Sequence, residues 1–171
     1  MLEMCNTGKK WYVFYTRAHA EKVVYNELLK RHYDAFLPEV KSPRRWKNRQ
    51  KGIVFRVLFP GYIFVRTIEA DIYNVVHVPK IVRCVKCSDR PAVVPDSDIR
   101  CIELMLDLGQ EVFTAHDFIE GEHVRVVRGP LAGYEGILAK SRGISRFCIQ
   151  LNDINQYACI DISVSMLEKV R

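Results

Sequence analysis

The first dense apolar run, Trp11-Tyr12-Val13-Phe14-Tyr15, is rich in aromatic and β-branched side chains and follows a polar leader, which predicts a strand. Behind it Ala20, Val23, Val24 and Leu28 recur at helical spacing with Glu21, Lys22, Glu27 and Lys30 opposite, an amphipathic helix of roughly three turns. A short strand over residues 35–40 then enters Ser42-Pro43-Arg44-Arg45-Trp46-Lys47-Asn48-Arg49-Gln50-Lys51-Gly52, read as a basic loop bounded by Pro and Gly. Residues 53–65 are apolar again except at Phe59-Pro60-Gly61, so a long loop is expected between two strands that pair, with Pro60 and Gly61 marking a bend or the entry of the second strand. Ile72, Val75 and Val76 predict a short helix ending before Pro79, residues 81–85 a strand, and residues 90–95 an extended piece. Asp96, Ser97 and Asp98 are N-cap candidates for a helix with Ile99, Ile102, Met105 and Leu106 on one stripe.

The order β-α-β-β-α-β-α is that of a split βαβ antiparallel sheet with helices, which accounts for a domain over residues 1–108. Residues 109–117 are polar and aperiodic, and read as a linker. From residue 118 to 171 the pattern changes to short strands at 124–127, 136–139, 147–151 and 158–162, spaced by roughly ten residues with turn residues between them, the mark of a small β-barrel. The fold class predicted is therefore α+β, with a small all-β domain behind the mixed one.

Composition narrows the function. The chain of 171 residues is 49% apolar and 27% charged, enough to build packed cores and inconsistent with wholesale disorder. No stretch approaches a membrane-spanning length, and the polar start lacks the apolar stretch of a secretory signal, so a cytoplasmic protein that engages no membrane is expected. Six cysteines in that setting predict reduced thiols and no disulfides. Eight of the 26 basic residues, Lys41, Arg44, Arg45, Lys47, Arg49, Lys51, Arg56 and Arg66, lie between Glu39 and Glu69 with no acidic residue among them, whereas the other 18 face 20 acidic residues. The positive excess is one local patch, which points to a polyanion at one face. Trp46 inside that patch adds a ring able to stack on an unpaired base, so single-stranded nucleic acid suits it better than a duplex groove.

Strand alternation in Tyr62-Ile63-Phe64-Val65-Arg66 sends Ile63 and Val65 toward the helices and leaves Tyr62, Phe64 and Arg66 on the other face, where Tyr15 joins them. An open face carrying that many rings marks a partner site unless the rest of the chain packs over it.

Trp11-Tyr12-Val13, the helix after Tyr15, Phe59-Pro60-Gly61-Tyr62-Ile63-Phe64-Val65, and the segment from Gly121-Glu122-His123-Val124-Arg125-Val126 through Gly129-Pro130-Leu131-Ala132-Gly133-Tyr134-Glu135-Gly136 together resemble the NusG family of transcription elongation factors over nearly the whole chain. The resemblance implies an N-terminal NGN domain and a C-terminal SH3-like KOW barrel. Arg90-Pro91-Ala92-Val93-Val94-Pro95 and the basic hairpin look closer to the specialised RfaH and UpxY antiterminators of that family. Carried over by motif position, Tyr15, Phe59, Tyr62 and Phe64 would dock on the β′ clamp helices of RNA polymerase, with the β gate loop across the cleft. Arg17 and the loop residues Lys41, Arg44, Arg45, Trp46, Lys47, Arg49 and Lys51 would face upstream and non-template DNA. The barrel would recruit a further protein, such as a small-subunit ribosomal protein, and its glycines would serve turns and close backbone approaches. Where the family uses an aromatic before the last strands this chain has Ile154, which disfavours Rho binding, and where RfaH offers a Thr-rich run to the gate loop it has Asp71-Ile72-Tyr73-Asn74, which leaves that contact unassigned.

Such a factor makes and breaks no bonds, so neither an enzyme nor a cofactor is expected. Cys84-x-x-Cys87 lacks two further zinc ligands at matching spacing and sits on strand and turn rather than at a helix start, which disfavours both zinc and thioredoxin-like chemistry. The rival reading is a free-standing RNA-binding module, because Gly61-Tyr62-Ile63-Phe64-Val65 partly fits the sheet motif whose rings stack bases in RRM domains.

Overall fold

A computed structural model describes residues 8–45, 51–115, 121–141 and 143–170, with 43–45, 51 and 141 described by their backbone. In chain order the elements are β1 (Lys10–Thr16), α1 (Glu21–Lys30), β2 (Asp34–Phe36), β3 (Glu39–Arg45), β4 (Lys51–Val57), β5 (Tyr62–Thr67), α2 (Ile72–Val76), β6 (Ile81–Cys84), β7 (Lys86–Cys87), β8 (Arg90–Pro91), β9 (Val93–Val94) and α3 (Asp96–Asp107). They continue with β10 (Val112–Ala115), β11 (Glu122–Val126), β12 (Glu135–Ser141), β13 (Ile144–Leu151), β14 (Gln156–Asp161) and β15 (Leu167–Lys169). Contacts group the chain into two units, Met1–Leu37 with Phe59–Asp96, and Pro38–Leu58 with Ser97–Arg171. The grouping differs from a simple division near residue 108, because β3 and β4 pair with each other as a separate ribbon and associate, with nearly all of α3, with the C-terminal strands.

The first unit is an antiparallel sheet in the order β2-β5-β1-β6, with β9 also pairing β1. Its register, Tyr12 opposite Val65 and Phe14 opposite Ile63, puts these four side chains on one face. There they form a core with Ala20, Val24 and Leu28 of the first helical segment, and with Val75, Val78, Ile81 and Cys84. Each fully buried member of that set, such as Phe14, Val24, Leu28 or Ile63, contributes about 1.5–3 kcal/mol of transfer free energy. Spacing by fours from Ala20 builds the stripe, whereas Val23, which the periodicity places beside it, is exposed. The α1 C-terminus closes with the Arg31 and Tyr33 amides donating to the Leu28 carbonyl and with His32 in the left-handed region at φ 62°.

The second unit is dominated by a six-stranded antiparallel sheet in the order β10-β14-β13-β12-β11-β15. Val112, Ile160, Phe147 and Leu138 face one another across four of its strands and are all buried. Gly136 is required there: a Cβ at this position would lie 2.5 Å from the Cys148 carbonyl oxygen and 2.7 Å from the Phe147 ring.

Three expectations need correction. Residues 109–117 are not simply a linker, since Val112–Ala115 forms an edge strand on β14; Val112 and Phe113 are apolar, and β-pairing recruits a stretch too short to show a period. The strands on either side of the basic segment pair as expected, but the segment is not one long loop. Its ends extend the β3–β4 ladder as far as the Arg45–Lys51 pair, and residues 46–50 lie outside the described residues. Finally, the expectation of no disulfides fails: Cys148 and Cys159 are direct cross-strand partners on β13 and β14, 4.1 Å apart at Cα, and are disulfide-linked. Compartment arguments carry no information about register, and register is what brings these thiols together.

Candidate functional site

On the second face of the N-terminal sheet, the β1–β5 register sets Tyr15 opposite Tyr62 and Val13 opposite Phe64. The Tyr15 and Tyr62 rings meet edge to face with centroids 5.6 Å apart. Tyr15 is 40% exposed and Tyr62 partly exposed. Phe59 and Phe64, by contrast, are 1% and 0% exposed. The Phe64 ring packs 6.0 Å from both Phe36 and Phe59, and at the other end of this face the two tyrosines stay accessible. Of the four rings expected to be open from alternation and motif position, Tyr15 and Tyr62 are accessible while Phe59 and Phe64 are buried. Phe64, which an RRM-like reading would need to present to a base, is sealed.

Backbone and buried charge hold the tyrosine pair in place. Gly61 takes φ +85°, and a Cβ there would stand 3.0 Å from Tyr15 Cε2, so glycine is needed both for the turn and for the ring behind it. The Gly61 amide donates to the carboxylate of Glu21 at 2.8 Å, and the Gly61 carbonyl accepts from the Thr16 amide at 2.8 Å. Glu21 is buried, in the first turn of α1, where the helix dipole favours a negative charge. It clamps the Pro60-Gly61 corner to the helix. Sequence reading assigned it only to the polar side of α1; its partner lies 40 residues away, beyond any local pattern.

The predicted nucleic-acid residues divide between the units. Arg17 is exposed just after β1, its amide donating to the Lys80 carbonyl at 2.9 Å. Lys41 is exposed on β3 directly opposite Phe55, and the pairs Arg44–Gly52 and Arg45–Lys51 form the distal rungs of the same ribbon. Trp46, Lys47 and Arg49 lie outside the described residues. At its foot the ribbon borders a cleft of about 560 Å³ where Lys41 and Arg56 share the walls with Glu39, Asp107 and Glu111. Those carboxylates leave the unbalanced positive charge toward the distal rungs.

The run at 71–74, unassigned from sequence, is a compact network. Asp71 accepts hydrogen bonds from Thr67 at 3.1 Å and Asn74 at 2.6 Å. Partial burial pushes its carboxyl up, but the bonds from Asn74, Tyr33 and Thr67 outweigh this and hold it below its ordinary value. The helix it anchors presents Tyr73, 71% exposed, against the His77 ring at 4.2 Å, with His77 Nδ1 2.7 Å from the Tyr73 carbonyl. Burial pushes the Cys84 thiol up, and burial with the Asp98 charge pushes Cys101 up to about 12. Among the described residues no group of three or more His, Cys, Asp or Glu is placed to hold a metal ion.

A split antiparallel sheet with an aromatic end, a cationic ribbon and a separate β-sheet defines a binding protein of two modules. The family described as "Transcription termination factor nusG" matches residues 9–103, more than half of the chain, and the chain belongs to that NusG family. It is 26% identical over 176 aligned residues to the transcription termination/antitermination protein NusG of Pseudomonas aeruginosa, covering 95% of this chain and 99% of that one. It is 25% identical over 151 residues to the protein of the same description from Borreliella burgdorferi, covering 77% and 82%. A solved structure of Thermotoga maritima NusG shares the fold with a TM-score of 0.54 at 21% identity, over 98% of this chain and 100% of that one. The fold is accordingly an NGN-type domain followed by a KOW-like β domain, and the chain is a transcription termination/antitermination factor of a family that binds RNA polymerase and is not enzymatic. No helix among the described residues is long and apolar enough to cross a membrane.

Proposed function

We propose that this chain is a specialised, operon-specific elongation and antitermination factor of the cytoplasm, related in role to the RfaH and UpxY proteins. Residues 1–108 serve as the polymerase-binding part and 118–171 as the recruiting part, which takes a ribosomal protein as its partner. Tyr15 and Tyr62 dock on the β′ clamp helices, Phe59 and Phe64 complete the aromatic set from beneath the surface, and the β gate loop is reached across the cleft. Arg17 and the cations of the β3–β4 ribbon, with Trp46, Lys47 and Arg49, follow upstream DNA and the non-template strand.

The observation that carries this reading is the exposed edge-to-face pair Tyr15–Tyr62, held by Gly61 and Glu21 at the end of an aromatic face on which Phe59 and Phe64 are buried. Aromatic anchors of this kind dominate interfaces. A ligand that binds only the closed clamp lowers the population of the open, paused state by its differential affinity, so docking alone suppresses pausing and termination.

The test is a single-round pausing assay with a polymerase pull-down. Tyr62→Ala weakens polymerase binding by about 30-fold, the equivalent of roughly 2 kcal/mol for a truncated anchor, and restores pausing. Polymerase affinity unchanged in both Tyr15→Ala and Tyr62→Ala overturns the docking surface.

A further inference from the structure

The tyrosine pair does not stand alone on its face. The β1–β6 register puts Arg83 directly across from Tyr15, so that Tyr62, Tyr15 and Arg83 form one row over three adjacent strands. Phe14 and Cys84, the next rung, are both buried in the core beneath, which by alternation leaves Arg83 on the outer face with Tyr15. A β-bulge follows at once: Thr16 pairs with Ile81, and Val82 is the extra residue, 49% exposed. Arg83 is exposed, and among the described residues no carboxylate lies within ion-pair distance of its guanidinium. Between Asp71 and Asp89 the chain carries Lys80, Arg83 and Lys86 and no acidic residue, and Glu21, which reaches the tyrosine corner, is buried on the Gly61 amide. Spacing then fixes the occupant. Neighbouring strands lie about 4.8 Å apart, so the row is about 10 Å long. A helix laid along it rises about 5.4 Å per turn, so its positions i and i+3 or i+4 meet the two tyrosines and i+7 meets Arg83. Ring, ring and cation in that order call for two apolar side chains and, one turn further on, a carboxylate.

We infer that Arg83 is a specificity-determining contact of the docking face, and that the row Tyr62–Tyr15–Arg83 takes one partner helix whose apolar stripe ends in an Asp or Glu. This rests on the proposal that the tyrosines dock on the polymerase clamp helices, and adds which charge grips the helix and in which direction it lies. The aromatic pair supplies contact area and Arg83 supplies orientation, since a helix docked in reverse sets an apolar side chain against the guanidinium. Nothing in the sequence distinguishes Arg83 from Lys80 or Lys86; the pairing of β6 with β1 is what brings it beside Tyr15.

The experiment measures the affinity of the full chain for RNA polymerase core enzyme free of nucleic acid, and for the same enzyme with single Asp or Glu residues of its β′ clamp helices changed to Lys. Arg83→Gln weakens binding by about 10- to 100-fold, the loss of one charge-assisted hydrogen bond, and flattens its salt dependence. Arg83→Lys, which keeps the charge without the planar fork, retains part of the affinity. Arg83→Glu weakens binding further and is rescued by one carboxylate-to-Lys change in the clamp helices, a rescue that also establishes that the variant is folded. Failure of every such change to rescue Arg83→Glu overturns the partner carboxylate. Unchanged affinity in Arg83→Gln while Tyr62→Ala loses about 30-fold overturns the role of Arg83 and leaves the docking face standing. Unchanged affinity in Arg83→Gln, Tyr15→Ala and Tyr62→Ala alike overturns both. A loss in Arg83→Gln that arises only once the polymerase carries DNA assigns the guanidinium to a phosphate and overturns the partner helix.

Discussion

Removing the Glu21 carboxylate tests whether the tyrosine pair is held by a buried charge. Glu21→Ala strips the acceptor from the Gly61 amide, now bonded at 2.8 Å, in a place where Glu21 is only 6% exposed and water cannot readily substitute. Losing a hydrogen bond to a charged group costs about 1.5–3 kcal/mol, and losing a carboxylate in the first helical turn costs a further ~0.3–1 kcal/mol. The sum, about 2–4 kcal/mol, lowers the melting temperature of a unit this small by about 8–32 °C. Glu21→Gln retains an oxygen for the Gly61 amide and loses about half as much. Polymerase affinity falls as well, since the corner and the Tyr15 ring against it relax together. A double-mutant cycle with Tyr62→Ala separates positioning from contact: if Glu21 acts through the tyrosines, the two losses of affinity fall short of adding. A Glu21→Ala protein that melts within 2 °C of the parent on a measurement scale where about 10 °C is expected, or losses of affinity that add in full, refutes the clamp.

Other outcomes follow from the same structure. Because the folded Asp71 carboxyl sits below its ordinary value, its ionised form stabilises the first unit at neutral pH, and that contribution disappears as pH falls through the folded value, below about pH 4; Asp71→Asn flattens the acid limb of a melting-temperature profile. Exposed Cys87 alkylates within minutes at pH 8, whereas buried Cys84 and Cys101, whose thiols are held protonated, label only on unfolding, as peptide mapping reads out. Non-reducing peptide mapping recovers Cys148 joined to Cys159, and removing the link by Cys148→Ala with Cys159→Ala destabilises the β domain by about 3 kcal/mol in denaturant titrations, the chain-entropy value for a loop closed over a separation of 11 residues.

The order and kind of the main elements and the location of the charge are legible along the chain. Trp11–Tyr15, the stripe through Ala20, Val24 and Leu28, and the four C-terminal apolar runs declare themselves because their side chains repeat with the period of the backbone that carries them. The acid-free stretch from Glu39 to Glu69 is equally a property of the chain alone. Which of those residues face outward depends on how the segments pack. Tyr62 and Phe64 share one strand face by alternation, yet one is accessible and the other buried, with Phe36 and Phe59 brought beside Phe64 from other parts of the chain. Glu21 on Gly61, Cys148 against Cys159, and Lys41 across from Phe55 are likewise pairings of register or packing between segments. A local period tells on which side of its own strand or helix a residue lies; only the assembled chain decides what, if anything, lies over it.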